Sequence, residues 1–143
     1  MLKGIDPLLG PELLKTLRAM GHGDEIAIVD GNYPADTDAK RLVRMDGHGA
    51  PAILEAILSI MPLDDVVPDC VFRPAPPNEA KGVESVFADF ERIVKKHEPE
   101  RHMTVLVGTD FYNRVKNCYA IVASSETRLY GNIVLRKGVI HPK

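Results

Sequence analysis

The stretch "MGHGDEIAIVDGNYP", residues 20–34, sets the fold class. Its centre, "EIAIVD" (25–30), is a short, nearly continuous apolar run that fits a buried strand. Upstream, "GPELLKTLRAMGHG" places Leu13, Leu14, Leu17 and Met20 on one helical stripe, with Pro11 where a first turn tolerates it. Gly21 is expected to be the left-handed residue that closes this helix. His22 then falls in a glycine-flanked turn. Asp30 falls at the C-terminal end of the strand, where open α/β sheets place their ligands.

Downstream, "GAPAILEAILSIMP" reads as a helix with Ala52, Ile53, Ala56, Ile57 and Ile60 at helical spacing and Pro62 ending it. "CVFRPAPPNEAKG" is the least regular part and is expected to be a surface excursion. "VESVFADFERIVKKH" sets Val83, Val86, Phe87, Phe90 and Val94 on one face of a further helix, with Lys95 and Lys96 near its C-terminus. "MTVLVG" reads as a strand and "TDFYNRVKNC" as a short helix capped by Thr109 or Asp110. "YAIVAS" and "YGNIVLRKG" then read as two strands separated by the polar turn "SETR". Helices alternating with short buried runs imply an α/β domain, at least partly parallel. With 143 residues, one domain over 1–143 is expected, large enough for a single core.

The bulk numbers exclude several classes. The chain is 45% hydrophobic and 27% charged, with a net charge of -2. No basic stripe or Lys/Arg run suggests nucleic acid. The longest apolar stretches fall far short of the roughly 20 residues that span a bilayer. "MLKGIDPLLGPELL" lacks a signal peptide's continuous apolar region and cleavage site, so a cytoplasmic protein is expected. Cys70 and Cys118 stand without neighbouring ligands and read as reduced packing residues.

His22 is open to three readings: turn filler, metal ligand or acid–base group. Imidazole titrates near neutrality, so it can move a proton at cytoplasmic pH. The histidines His22, His48, His97, His102 and His141 form no H-x-H or H-E-x-x-H pair, which argues against a metal site. No P-loop, G-x-G-x-x-G, G-x-S-x-G or C-x-x-C is present. "DGHGAPA" precedes a helix and could in principle seat a phosphate, but a plain loop-to-helix turn is the better reading. Asp30 suits accepting hydrogen bonds from sugar hydroxyls or orienting a histidine; it equally suits capping the "DGNYP" turn. Asp24 and Glu25, at the strand's start, read as solvated. Near the C-terminus, Tyr130, Gly131 and Asn132 combine a phenol, a point of close approach and an amide, a hydroxyl-reading set.

"GPELL", "MGHGDEI", "FY" followed by Arg114, and "LYGNI" running on to the "KG" at 137–138 occur together here in one order and spacing. In this the chain resembles the L-fucose mutarotase and D-ribose pyranase family over residues 2–138, closer to the fucose branch. The resemblance implies a small α/β sandwich: a central mixed, largely parallel sheet flanked by helices. It also implies homo-oligomers, pentameric rings or decamers, with active sites at subunit contacts. His22 matches the family's proton donor, Asp30 its substrate-binding aspartate, and Tyr130, Gly131 and Asn132 its "YGN" triplet. One match fails: Gly108 stands where the family carries Arg or His before the aromatic pair Phe111 and Tyr112. Asn113 replaces the glutamate after that pair, while Arg114 keeps its place.

The implied activity is interconversion of the anomers of a reducing monosaccharide, L-fucose or a related sugar, by acid–base-catalysed ring opening. His22 would donate or shuttle the proton, Asp30 would hold hydroxyls, and Tyr130 and Asn132 would orient the sugar. Tyr112 and Tyr119 are weaker candidates for stacking or relay. The chemistry needs no cofactor and no metal. The alternatives are a ribose pyranase-type activity, a non-catalytic monosaccharide-binding protein on the same scaffold, or a pure assembly module.

Overall fold

The computed structural model describes residues 1–77 and 83–143, with Val83 and Glu84 as backbone only. The elements run α1 (Pro11–Ala19), β1 (Glu25–Val29), α2 (Ala35–Asp38), β2 (Leu42–Met45), α3 (Ala50–Leu58), β3 (Val71–Pro74), α4 (Val83–His97), β4 (Thr104–Leu106), α5 (Thr109–Lys116), β5 (Ala120–Ser124) and β6 (Ile133–Arg136).

β1 lies inside one six-stranded sheet of order β2-β5-β1-β6-β3-β4. It pairs parallel with β5 (Ile26 with Ala120) and antiparallel with β6 (Ile26 with Leu135). The outer pairs β2–β5 and β3–β4 are parallel, and β3–β6 is antiparallel. The sheet is therefore mixed and flanked by helices, the α/β architecture expected from the alternating pattern.

Burial on both faces explains why β1 is apolar from Ile26 to Val29. Ile26 and Ile28 face a thick layer that contains Leu13 and Leu17 of α1, Ile53 and Ile57 of α3, and Phe90 of α4. Ala27 and Val29 face a thinner layer with Ala35, Phe111, Val115 and Ala123. Ile26, Ile28 and Phe111 are fully buried. Side chains of this size contribute roughly 1.5–3 kcal/mol each when removed from water.

Several local expectations change. Gly21 is not left-handed: α1 closes at Met20 in extended conformation, and the positive φ falls on Gly23 at 87°. "CVFRP" is not a surface excursion but β3, with Cys70, Val71 and Phe72 buried; three prolines obscured a strand that carries only one of them, at its end. The remainder of that stretch, residues 78–82, and the packing of Val83 lie outside the described residues. Ile60 is exposed because α3 stops at Leu58, and Leu54 takes a core position instead. Neither Thr109 nor Asp110 caps α5. The N-cap is Gly108, at φ 62° and ψ −133°, a backbone conformation open to glycine and strained for any other residue.

Candidate functional site

A cavity of about 410 Å³ opens at the C-terminal end of β1, between α2 and α5. Its lining includes Asp30, Asn32, Tyr33, Asp38, Tyr112, Lys116, Tyr130 and Asn132. Sequence reasoning had singled out Asp30, Tyr112, Tyr130 and Asn132, and the fold brings these four together although 102 residues separate Asp30 from Asn132.

Asp30 is buried and held from two sides. Its backbone N–H donates to Asn132 Oδ1 (2.8 Å), and Asn132 Nδ2 donates to Asp30 Oδ2 (3.2 Å). The Asn32 N–H donates to Asp30 Oδ1 (2.9 Å), closing the "DGNYP" turn. Asp30 thus caps a turn and faces a cavity at once. A carboxylate offers about four acceptor directions, so lone pairs remain for hydroxyl donors.

The walls are aromatic. The Tyr33 and Tyr112 rings stack with centroids 6.2 Å apart, and Phe111 meets Tyr112 edge-on. Burial pushes the Tyr33 phenol up, and its hydrogen bond to Asp38 (2.7 Å) pushes it further. Burial likewise raises Tyr112. Both phenols therefore stay protonated at neutral pH and act as donors. Polar carboxylate and amide groups beneath apolar ring faces suit a ring molecule with hydroxyls on its edge and C–H bonds on its faces. Among the described residues, the cation on the wall is Lys116, one turn along α5 from Tyr112.

Tyr130 adopts φ 61°, the left-handed region that costs a non-glycine residue on the order of 1–3 kcal/mol. The surrounding turn holds it there. A Cβ on Gly131 would stand 2.8 Å from Glu126 Cγ and 3.1 Å from the Arg128 carbonyl, so only glycine lets the turn pack down. Arg128 clamps Glu126 through Nε–Oε1 (2.8 Å) and Nη2–Oε2 (3.1 Å) and reaches Asp89 on α4 (2.9 Å). Arg128 holds the Glu126 carboxyl below its usual range. Glu126 also accepts from the Ala50 N–H at the start of α3. The "DGHGAPA" helix start thus already carries its own anion, in the place a phosphate would take.

His22 lies elsewhere. It precedes β1, whose five residues span roughly 17 Å at about 3.3 Å each, so His22 and Asp30 sit at opposite ends of one strand. His22 is exposed, and its Nε2 meets Asp64 Oδ1 at 3.0 Å. Asp64 is fully buried and binds Arg136 Nε through Oδ2 (2.8 Å). Arg136 also approaches Glu25 (3.7 Å), which Arg114 grips from α5. Glu25 is therefore not solvated, as its position at a strand start suggested, but part of this ion network. The Arg136 guanidinium passes so close to Gly23 that a Cβ there would meet Nη2 at 3.0 Å. The "GHG" glycine is required for both φ and space.

Tyr119 is also at this end, under the Arg41 guanidinium (3.9 Å) and beside a second, polar cavity, so it does not join Asp30. Sequence reasoning missed Asp64, Arg136, Tyr33 and Glu126. Tyr33 stood within the quoted stretch, and Glu126 within "SETR". Asp64 gave no local signal beyond a carboxylate in the apolar run "MPLDDVV". Among the described residues no group of three or more His, Cys, Asp and Glu side chains forms a possible metal cluster, and no helix is long and apolar enough to cross a membrane.

A mixed α/β sheet with an aromatic-walled cavity of carboxylate, amide and phenol groups at a strand end has the chemistry to hold a small hydroxylated ring. Comparison with known proteins narrows the class. Residues 3–140 match the RbsD / FucU transport protein family, and the chain belongs to it. It is 41% identical to a human fucose mutarotase over 97% of this chain and 94% of that one. It is 41% identical to an L-fucose mutarotase of Haemophilus influenzae, covering 97% of each. A crystal structure of the fucose mutarotase from Streptococcus pneumoniae in complex with L-fucose superposes with a TM-score of 0.90, at 40% identity, over 98% of this chain and all of that one.

Proposed function

We propose that this protein is a monosaccharide mutarotase, an isomerase acting on L-fucose or a closely related reducing sugar. The observation that carries the reading is the cavity in which Asp30 and Asn132 brace each other beneath the Tyr33–Tyr112 stack, in a chain about 40% identical to fucose mutarotases.

Anomer exchange opens and recloses the sugar ring. A base takes the proton of the anomeric hydroxyl as the bond between the anomeric carbon and the ring oxygen breaks, and an acid protonates the ring oxygen. Rotation about the bond next to the aldehyde and reversal of these steps gives the other anomer. Protons taken and returned balance, so no cofactor enters. One placed acid–base group contributes about 10²–10⁴-fold, enough to matter for a reaction already slow but spontaneous in water.

Asp30 accepts from sugar hydroxyls, and Asn132 and Tyr130 set the ring's orientation against the aromatic wall. His22 moves the proton. Since one copy holds His22 and Asp30 at opposite ends of β1, the working site unites the His22 end of one copy with the Asp30 cavity of the next. A head-to-tail contact of that kind builds a ring where the rotation between copies closes. The family's basic residue before the aromatic pair has no counterpart at Gly108, whose backbone excludes a side chain without strain. Lys116 is the cation available to the sugar.

Saturation-transfer NMR across fucose, ribose, galactose and rhamnose tests this. Acceleration of fucose exchange above the uncatalysed rate, lost in His22→Ala, is expected. Ribose exchange alone would move the substrate to the pyranase side. Sugar-dependent thermal stabilisation with uncatalysed exchange rates would make the protein a non-catalytic sugar binder.

A further inference from the structure

The His22 end of the molecule contains a device that the sugar reading leaves unexplained: a fully buried carboxylate, Asp64, dedicated to one ring nitrogen of an exposed histidine. We propose that Asp64 is a positioning residue for His22, fixing the tautomer in which Nε2 carries the hydrogen and Nδ1 exchanges protons with substrate. This rests on the anomer-exchange reading of the site.

The geometry allows only one assignment. Asp64 Oδ1 receives the Val66 N–H (3.0 Å) and faces His22 Nε2 (3.0 Å), while Oδ2 receives Arg136 Nε (2.8 Å). Burial alone would push the Asp64 carboxyl up, but donation from Val66, Arg136 and His22 overcomes it and holds the group down at about 2. At neutral pH Asp64 is thus a carboxylate and can only accept. Nε2 must donate. A neutral imidazole carries a single N–H, so Nδ1 keeps its lone pair. Nδ1 has no hydrogen-bond partner among the described residues.

The surroundings hold Asp64 in place without competing for His22. Arg136 comes from the end of β6 and is itself anchored on Glu25. Arg101 binds the Asp64 main-chain carbonyl (3.4 Å), not its carboxylate. Asp65 turns away to His141 (2.7 Å), and Asp24 is taken up by the Gly21 N–H (2.8 Å). Cys70 is near enough to feel Asp64, with its buried thiol pushed up to about 11 and hence neutral. A carboxylate present only to neutralise Arg136 would not need an oxygen aimed at an exposed imidazole.

Two measurements decide it. In nitrogen-15 imidazole spectra of the wild-type protein, neutral His22 is expected as the Nε2–H tautomer. A predominant Nδ1–H tautomer overturns the proposal, and this readout needs no variant to fold. In Asp64→Asn a single side-chain oxygen must serve Arg136, Val66 and His22. The tautomer ratio should therefore shift toward Nδ1–H, with kcat for anomer exchange falling on the order of 10-fold or more while KM stays within about twofold. A folded Asp64→Asn protein with wild-type tautomer and kcat overturns the proposal. A wild-type protein without exchange activity removes the sugar reading, and the tautomer alone then decides whether Asp64 sets the ring. An active protein in which His22→Ala keeps full activity overturns the catalytic purpose assigned here.

Discussion

The two ends of β1 solve different problems with the same kinds of side chain. At the C-terminal end, Asp30 has an amide and a backbone N–H as partners and phenol rings around it. At the N-terminal end, Asp64 has a guanidinium and an imidazole, with Glu25 and Arg114 extending the alternation of charge. The first arrangement leaves acceptor capacity free and presents apolar faces, which suits holding a neutral polyol. The second uses up the carboxylate and presents an imidazole, which suits moving a proton. In the proposed reading, binding and proton transfer are separated along one strand, and a second copy reunites them.

The sharpest break of this comparison is a mixing experiment. His22→Ala is expected to lose about 10²–10⁴-fold in exchange rate, and Asp30→Asn about 10–10²-fold through weaker hold on the sugar hydroxyls. If the site spans two copies, co-assembling the two inactive variants restores about a quarter of the sites by random pairing in a head-to-tail ring. No recovery on mixing would mean that the two ends never meet across a subunit contact.

Gly23→Ala tests how tightly the N-terminal end is built. Its φ of 87° and the 3.0 Å approach of Arg136 predict a loss of about 1–3 kcal/mol in urea unfolding. The same change at Gly10, where a Cβ meets nothing within 4 Å, should cost far less.

The charged end should also show in acid. Asp64 sits near 2 when folded against 3.8 ordinarily, so its folded form binds protons less readily than its unfolded form. Its stabilisation is therefore complete above about pH 4 and lost as pH falls through 4 toward 2, amounting to roughly 2.5 kcal/mol at about 1.4 kcal/mol per unit. Asp64→Asn should flatten that part of the pH–stability curve measured by denaturant unfolding.

The smallest effect belongs to the aromatic wall. Tyr33→Phe removes the hydrogen bond to Asp38 but keeps the stack on Tyr112, and should cost about 1 kcal/mol in stability. A several-fold rise in KM with kcat unchanged would place the Tyr33 hydroxyl in sugar binding.

Much of the fold was legible because it follows from periodicity. Ile26 and Ile28 against Ala27 and Val29 announce a strand buried on both sides, and the α1, α3 and α4 stripes point at it. β3 was hidden because Phe72 and Arg73 run into Pro74, Pro76 and Pro77, and a proline-rich context obscures a short strand. The cap of α5 was misplaced because Thr109 and Asp110 are good capping residues, whereas Gly108 wins on backbone angle, which composition does not report. In the site, Asp30, Tyr130 and Asn132 were readable as polar residues at strand ends. Tyr33, Glu126 and Asp64 were not, since their roles depend on neighbours far along the chain.

By itself, the sequence determined the α/β class, the buried β1, and the glycine-flanked histidine with an aspartate at the strand's far end. Periodicity and turn chemistry are local properties, carried by residues a few positions apart. Only the tertiary structure decided that His22 belongs with Asp64 and Arg136, that Asp30 belongs with Asn132, and that one copy keeps the two groups apart. Strand pairing makes those choices, because β6 runs antiparallel to β1 and so delivers Asn132 to one end and Arg136 to the other.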